Sequence, residues 1–139
     1  MNTRGIIDTN IVVLLGRLDP EHLPDEPVIT AVTLAELSVG PLVTDDPAER
    51  AARQARLQEC EAVFDPLPFD AAAARTFGRV AASLRHAGRT SKARAFDALI
   101  AATALSNSLP VYTCNPHDFD GIDGLTVNLV PHPDAAHQA

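Results

Sequence analysis

Asp97 is the acidic residue of this sequence whose surroundings most strongly suggest chemistry. It stands near the start of residues 94–105, a stretch rich in Ala and Leu that contains no Gly or Pro. Such a stretch predicts a helix that is apolar around most of its circumference and belongs in a core. A carboxylate there needs a basic side chain, a helix-end amide or a metal ion. An ion pair with Arg94, or a favourable place in the first helical turn, explains Asp97 about equally well.

Three further carboxylates lie at boundaries between predicted elements. Asp8 ends a short apolar run, Asp118 follows a β-favouring run, and Glu36 lies in a short predicted helix. Thr33 and Glu36 also have the spacing of a capping box, so a side chain folded back onto its own helix start is the structural alternative for Glu36.

The elements that must position these carboxylates alternate along the chain. Strands are predicted at residues 4–8, 28–30, 109–113 and 126–130, and helices at 9–15, 33–40, 47–64, 70–87 and from about 91 to 107. Thr90 or Ser91 is expected to cap the last helix. The alternation implies right-handed crossovers and a mostly parallel sheet with helices on both faces. Because the carboxyl ends of parallel strands share one edge, the four carboxylates are expected to converge there.

Length and composition predict one domain over residues 1–139, with enough apolar residues, 46%, to form a core without staples. The polar tail of residues 131–139, which contains His132 and His137, is expected to be flexible. Cys60 and Cys114 lack metal-type spacing and are interpreted as reduced thiols. No leader-like start and no apolar run of membrane-spanning length are present, which predicts a cytoplasmic protein without a membrane partner.

The net charge of −7 argues against a protein that coats nucleic acid by bulk attraction. The charge is segregated, however, because no acidic residue lies between Asp70 and Asp97. Six of the 11 cations fall in this interval: Arg75, Arg79, Arg85, Arg89, Lys92 and Arg94. The interval is either a solvated helix face, the commoner meaning of such a run, or part of an RNA-binding surface.

A cluster of carboxylates has a definite chemical use. Like charges raise one another's pKa, so the ionised cluster is stable mainly when divalent cations lie between its members. Oxygen ligands favour Mg²⁺ or Mn²⁺, and the absence of a Cys/His set disfavours zinc. Carboxylate-held metal ions favour phosphodiester hydrolysis, in which one ion activates water and another stabilises the leaving oxygen.

Four segments together resemble the PIN-domain family, particularly the VapC-type ribonuclease toxins. They are residues 7–10 (IDTN), 33–37 (TLAEL), 96–104 (FDALIAATA) and 113–119 (TCNPHDF). The resemblance covers nearly the whole chain, in order. It implies a PIN-like three-layer α/β/α sandwich with a mostly parallel central sheet. It also implies endoribonuclease activity on an RNA substrate, dependence on Mg²⁺ with Mn²⁺ as a substitute, a homodimer, and a cognate antitoxin protein.

The resemblance also assigns the site. Asp8, Glu36, Asp97 and Asp118 match the family's acidic quartet and are identified as its catalytic and metal-binding residues. Cys114 departs from the family, which often has Arg after the Thr, and this bears on a substrate contact rather than on the metal site. His117 is interpreted as a surface turn residue outside the mechanism. Four neighbours bind water, orient carboxylates or serve only as local turns and caps: Thr9, Asn10, Thr113 and Asn115.

Other classes of protein fit less well. A phosphatase of the aspartyl-phosphate type needs a second Asp two residues after Asp8, where this chain has Asn10. A phospho-receiver domain needs a Lys at a later strand end, and the only Lys, Lys92, lies at a predicted helix start. The main alternative is a catalytically silent PIN-like module that binds RNA or a protein partner, against which the complete acidic quartet counts.

Overall fold

The computed structural model of the chain describes residues 2–90 and 94–135. Its centre is a sheet in the strand order β2-β1-β3-β4, and every neighbouring pair of strands is parallel. The strands are β1 (Arg4–Ile7), β2 (Glu26–Val28), β3 (Val111–Thr113) and β4 (Val127–Leu129). Since β2 and β3 flank β1 on opposite sides, the strand order reverses at β1, which creates a crevice at the carboxyl ends of β1 and β3. The prediction of a mostly parallel sheet is confirmed.

The five α-helices lie close to the predicted positions. They are α1 (Thr9–Leu14), α2 (Ala31–Val39), α3 (Pro47–Val63), α4 (Ala71–His86) and α5 (Ala95–Ser106). Local chemistry explains the good agreement for α3 and α4. The side chains of Asp46 and Asp70 accept hydrogen bonds from backbone N–H groups in the first turns of these helices, and α3 also has Pro47 at its first position.

Two successive residues of β1 define the layers of the fold. Ile6 and Ile7 are both fully buried and point to opposite faces of the sheet, as the pleat requires. Ile6 belongs to the core that contains buried residues of α4 and α5, whereas Ile7 packs with residues of α1 and α3. The expected three-layer α/β/α sandwich is therefore confirmed.

Helix α5 is the most deeply buried helix of the described chain. Six consecutive or near-consecutive side chains are completely inaccessible: Ala98, Ile100, Ala101, Ala102, Thr103 and Ala104. The small alanines let α4 and the sheet approach α5 closely, which explains why the stretch is so rich in Ala. The prediction that this apolar stretch lies in the core is correct.

The buried face of α4 differs slightly from the predicted stripe. Thr76 and Ser83 are buried, while Phe77 and Ala81 of the stripe are only partly covered. The Thr76 hydroxyl donates to the Ala72 carbonyl at 2.9 Å, and the Ser83 hydroxyl donates to Gly121 at 2.6 Å. These two polar side chains are accommodated in the core because their hydroxyls are hydrogen-bonded.

Two local predictions are wrong. Helix α2 begins at Ala31 and is capped by Thr30, whose hydroxyl accepts a hydrogen bond from the Thr33 N–H at 3.2 Å. Thr33 is thus inside the helix, so the capping-box explanation of Glu36 fails. The second strand covers residues 26–28 rather than 28–30.

The start of α5 also differs from prediction. Its N-cap is Arg94, which makes no side-chain capping bond, so Thr90 is not the cap. Ser91, the other predicted cap, lies outside the described residues, as does His137 of the predicted flexible tail. Cys60 and Cys114 are both free thiols, as expected. Across residues 2–90 and 94–135, no helix combines the length and apolar composition that crossing a bilayer requires.

The close packing of α5 yields a stability prediction. Replacing the inaccessible Ala101 by Leu should overpack the core and lower the free energy of unfolding by about 1–3 kcal/mol. Ala72→Leu, on the exposed face of α4, is the matched control and should change stability by less than about 0.5 kcal/mol. Urea unfolding followed by circular dichroism measures both, and equal midpoints for the two variants would contradict this packing.

Candidate active site

Asp8 lies at the carboxyl end of β1 and caps α1, and only 5% of it is exposed. Both carboxylate oxygens are hydrogen-bonded. The Thr9 N–H donates to Oδ1 at 2.8 Å, and the Thr113 hydroxyl donates to Oδ2 at 2.9 Å. Burial raises the pKa of Asp8, the bonds from Thr9 and Thr113 oppose that increase, and the negative charge of Asp118 adds to it.

Thr113 connects the ends of β1 and β3. Besides donating to Asp8, its hydroxyl oxygen accepts hydrogen bonds from the Asn10 side-chain amide at 3.2 Å and from the Asn115 N–H at 3.0 Å. The Asn10 Oδ1 accepts from the Cys114 N–H at 3.4 Å. Of the two roles left open for these residues, Thr113 therefore orients a carboxylate, while Asn10 holds the turn after β3.

Glu36 lies in the second turn of α2, and its carboxylate points to the start of α1 rather than to its own helix end. The Thr9 hydroxyl donates to Glu36 Oε1 at 2.8 Å and lies 2.9 Å from the Thr33 hydroxyl. Because Thr9 has a single hydroxyl proton, Thr33 must donate to Thr9. Burial raises the pKa of Glu36, the bond from Thr9 opposes this, and the charge of Asp8 adds to it.

Asp97 is the third residue of α5 and is half-buried. Burial, followed by the negative charges of Asp8, Asp118 and Glu36, raises its pKa from 3.8 to about 6, although Arg94 acts in the opposite direction. Arg94 forms its ion pair with Asp118, not with Asp97. The ion-pair alternative for Asp97 is therefore wrong, and its place in the first helical turn is confirmed.

All four predicted carboxylates line one open cleft at the crevice between β1 and β3. The other residues around it are Thr9, Asn10, Val13, Leu14, Cys114, Asn115 and His132. The carboxylates influence one another's pKa, which shows that the fold brings together residues that are up to 110 positions apart in the sequence, from Asp8 to Asp118.

Three basic side chains lie close to Asp118 or to the cleft: His117, Arg89 and His132. The His117 side chain is 92% exposed and its Nδ1 lies 2.9 Å from Asp120 Oδ2, as expected for a surface turn. Arg89 donates to the carbonyl oxygens of His117 and Asp120, so it fixes the turn that carries Asp118. His132, which the sequence analysis assigned to a flexible tail, lines the cleft. The Pro residues on both sides of it were the available signal.

The donor set suits a hard divalent cation, because it consists of carboxylates without a Cys/His cluster. Within residues 2–90 and 94–135, no three Asp, Glu, His or Cys side chains are grouped closely enough to hold a metal ion as they stand. Three of the four carboxylates are instead held by hydrogen bonds or an ion pair with other side chains of the chain. Thr113 holds Asp8, Thr9 holds Glu36, and Arg94 neutralises Asp118.

Comparison with known proteins defines the class. The profile of the PIN domain matches residues 6–125 of this chain, and the chain belongs to that family.

Its relatives are ribonucleases and toxin–antitoxin components. The chain is 42% identical over 123 residues to ribonuclease VapC5 of Mycobacterium tuberculosis, covering 86% of this chain and 88% of the relative. It is 30% identical to the tRNA(fMet)-specific endonuclease VapC of Shigella flexneri over 86% of this chain and 92% of that enzyme. The crystal structure of VapBC-5, a toxin–antitoxin system of M. tuberculosis, aligns with a TM-score of 0.78 and 36% identity, covering 94% of this chain and 99% of the aligned chain.

The raised pKa of Asp97 predicts how metal-free stability depends on pH. Because the pKa in the folded state, about 6, exceeds 3.8, folding takes up a proton, and the stability from this group falls as pH rises through that window. Above this pH window, ionised Asp97 lowers the free energy of unfolding by about 1 kcal/mol after allowance for solvent screening. Asp97→Asn should therefore raise the metal-free melting temperature near neutral pH by about 3 °C.

Calorimetry on metal-free protein should compare the melting temperatures of wild type and Asp97→Asn across this range of pH. The difference between wild type and Asp97→Asn should shrink to zero below the window, where both side chains are neutral. Asp65→Asn, at an exposed position outside the cleft, should show no such dependence. A lower melting temperature for Asp97→Asn near neutral pH would refute the electrostatic description.

Proposed function

We propose that this chain is a metal-dependent endoribonuclease that hydrolyses RNA phosphodiester bonds and acts as the toxin of a toxin–antitoxin pair. The observation that carries the proposal is the convergence of four carboxylates in one cleft of a PIN domain. The names of its relatives, ribonuclease and endonuclease, support the same activity. The structural relative from a toxin–antitoxin system supports an antitoxin partner.

Mg²⁺ or Mn²⁺ would be held by Asp8, Glu36, Asp97 and Asp118. When bound, the ion supplies activation of water and stabilisation of charge on the phosphate. The chain's own residues orient the carboxylates, Thr113 acting on Asp8 and Thr9 on Glu36. The bound cation would offset the burial and the neighbouring negative charges that raise the pKa of Asp97 to about 6 without metal, and so keep this carboxylate ionised.

Loss of one carboxylate should abolish cleavage and leave the fold intact. Asp8→Asn retains the oxygen that caps α1 but removes the charge and the acceptor for the Thr113 hydroxyl, so cleavage should fall by at least about 100-fold. Asp97→Asn should have the same effect, whereas Asp65→Asn should cleave as wild type. Release of labelled fragments from total RNA, measured with Mg²⁺, with Mn²⁺ and with EDTA, provides the test.

The same assay distinguishes the nuclease from the alternative function, a binding module without catalytic activity. If wild-type protein binds divalent cations and RNA but releases no fragments, the chain is a catalytically silent binding module. If cleavage persists in EDTA, or in Asp97→Asn free of contaminating nuclease, the carboxylate site is wrongly assigned.

An apolar groove supports the antitoxin partner. It lies between α1 and α3, and its residues include the exposed Val13 and Val63. Val13 also lines the carboxylate cleft, so groove and cleft are adjacent. We therefore propose that an apolar segment of the antitoxin lies in the groove and that a basic side chain enters the cleft, where Arg would pair with carboxylates in bidentate fashion.

Introducing charge into the groove tests this arrangement. Val63→Asp should weaken the complex with the antitoxin at least about tenfold, because a carboxylate would be buried without a partner. Leu42→Asp is the matched control, since Leu42 is exposed and lies outside the groove. Titration calorimetry measures both affinities. A complex that still binds Mn²⁺ and cleaves RNA like the free chain would contradict inhibition by site occupation.

The homodimer, like the RNA substrate, is proposed from the family resemblance. Light scattering of the purified chain, alone and with antitoxin, gives the oligomeric state directly. A monomer at all concentrations would remove the dimer from the proposal without affecting the cleavage site.

A further inference from the structure

His132 occupies a constrained position at the carboxylate cleft. Two residues earlier, Val130 is fully buried and its N–H donates to the Thr113 carbonyl at 2.8 Å, so the chain leaves the sheet from a fixed point. Pro131 and Pro133 flank His132 and restrict its backbone, since a residue before proline favours extended conformations. The segment thus places the backbone of His132 at the edge of the cleft, which its side chain lines.

The hydrogen bonding of the His132 ring indicates which of its two nitrogens is available to a ligand. The Asp134 N–H donates to His132 Nδ1 at 3.1 Å, and Asp134 Oδ2 lies 3.7 Å from the same nitrogen, so Nδ1 is engaged by the turn and Nε2–H is left as the donor of the ring. Arg17 pairs with Asp134 at 2.7 Å and ties the turn to the segment after α1. Among the residues that the structure describes, none forms a hydrogen bond with Nε2. The side chain is 43% exposed, so this N–H donor is accessible.

Such a donor matters because, among the described residues, most other polar donors of the cleft are already engaged, the side-chain amide of Asn115 being the exception. The Thr9 hydroxyl donates to Glu36, the Asn10 amide donates to Thr113, and Arg94 pairs with Asp118. A phosphodiester entering a cleft of four carboxylates needs hydrogen-bond donors, because its own oxygens only accept.

We propose that His132 is an RNA-contacting residue, whose Nε2–H donates to a phosphate oxygen of the strand bound in the cleft. The identity of the ligand rests on the proposed function, whereas the position of the donor rests on the geometry of residues 130–135. His117 provides the contrast, because it is highly exposed, pairs with Asp120 and does not line the cleft.

Two substitutions of His132 test which of its ring nitrogens contacts the RNA. Gln places an N–H donor near the position of Nε2, while Asn reaches only the position of Nδ1. Each is introduced into the Asp97→Asn protein, so that binding is measured without cleavage. The probe is a labelled single-stranded RNA of mixed sequence, in the presence of Mg²⁺, followed by fluorescence anisotropy.

His132→Asn should weaken RNA binding about tenfold, as expected for the loss of one hydrogen bond to a charged group. His132→Gln should stay within about twofold of the parent, and so should the control His117→Asn. In the cleaving protein, His132→Asn should raise KM more than it lowers kcat.

A second measurement needs no substitution. The Nε2–H resonance of His132 in the ¹⁵N-labelled Asp97→Asn protein should shift on addition of the RNA, and that of His117 should not. Equal affinities for His132→Asn and the parent, equal weakening by Asn and Gln, or an unmoved His132 resonance would each overturn the inference.

The outcomes for the two proposals are distinguishable. If the wild type cleaves RNA and the His132 variants bind like the parent, the proposed function stands and the inference fails. If the wild type does not cleave, yet the Asp97→Asn protein binds RNA through His132, the inference stands and the nuclease proposal fails. If the Asp97→Asn protein does not bind RNA, the inference is decided in the cleaving protein, where an unchanged KM for His132→Asn overturns it, and the wild-type cleavage assay alone decides the nuclease proposal.

Discussion

The hydrogen bond from Thr113 to Asp8 is the contact on which the cleft depends. It joins the ends of the two central parallel strands at the point where the strand order reverses, and it holds a carboxylate that is 5% exposed. Without the hydroxyl, a buried charge would lose a charge-assisted bond, and Asn10 and Asn115 would lose their acceptor. One side chain thus fixes the first carboxylate and the turn after β3 that leads to Asp118.

Convergence of the four carboxylates in one cleft is destabilising, because their negative charges repel one another. Burial and neighbouring negative charge act together on Asp97, and the chain as a whole also carries an excess of acid. Arg94 reduces the imbalance by pairing with Asp118, and the hydroxyls of Thr9 and Thr113 stabilise Glu36 and Asp8. The residual negative charge would favour binding of a divalent cation in the proposed metal site, since a cation between the carboxylates relieves their repulsion.

Most of the fold and the four carboxylates could be predicted from the sequence, because their signals are local. Asp70 marks the start of α4, and the Ala-rich stretch around Asp97 identifies the buried helix. The failures concern pairings across long distances. Glu36 accepts a hydrogen bond from Thr9 rather than capping its own helix, and Arg94 pairs with Asp118 rather than Asp97, because the choice between candidate partners depends on tertiary geometry. His132 was missed because its position depends on the burial of Val130.

The ion pair between Arg94 and Asp118 has a consequence for control of the site. It shows that this cleft accommodates a guanidinium next to its carboxylates with both groups about one-third exposed. In the proposed function, a metal ion and the basic side chain of a partner would both be attracted by the same negative charge, so each would weaken binding of the other. Since Val13 belongs to both the apolar groove and the cleft, a partner held by apolar contacts brings its charge to the carboxylates without needing strong affinity for them. In this proposal, binding in the groove and competition at the cleft would be parts of a single binding event.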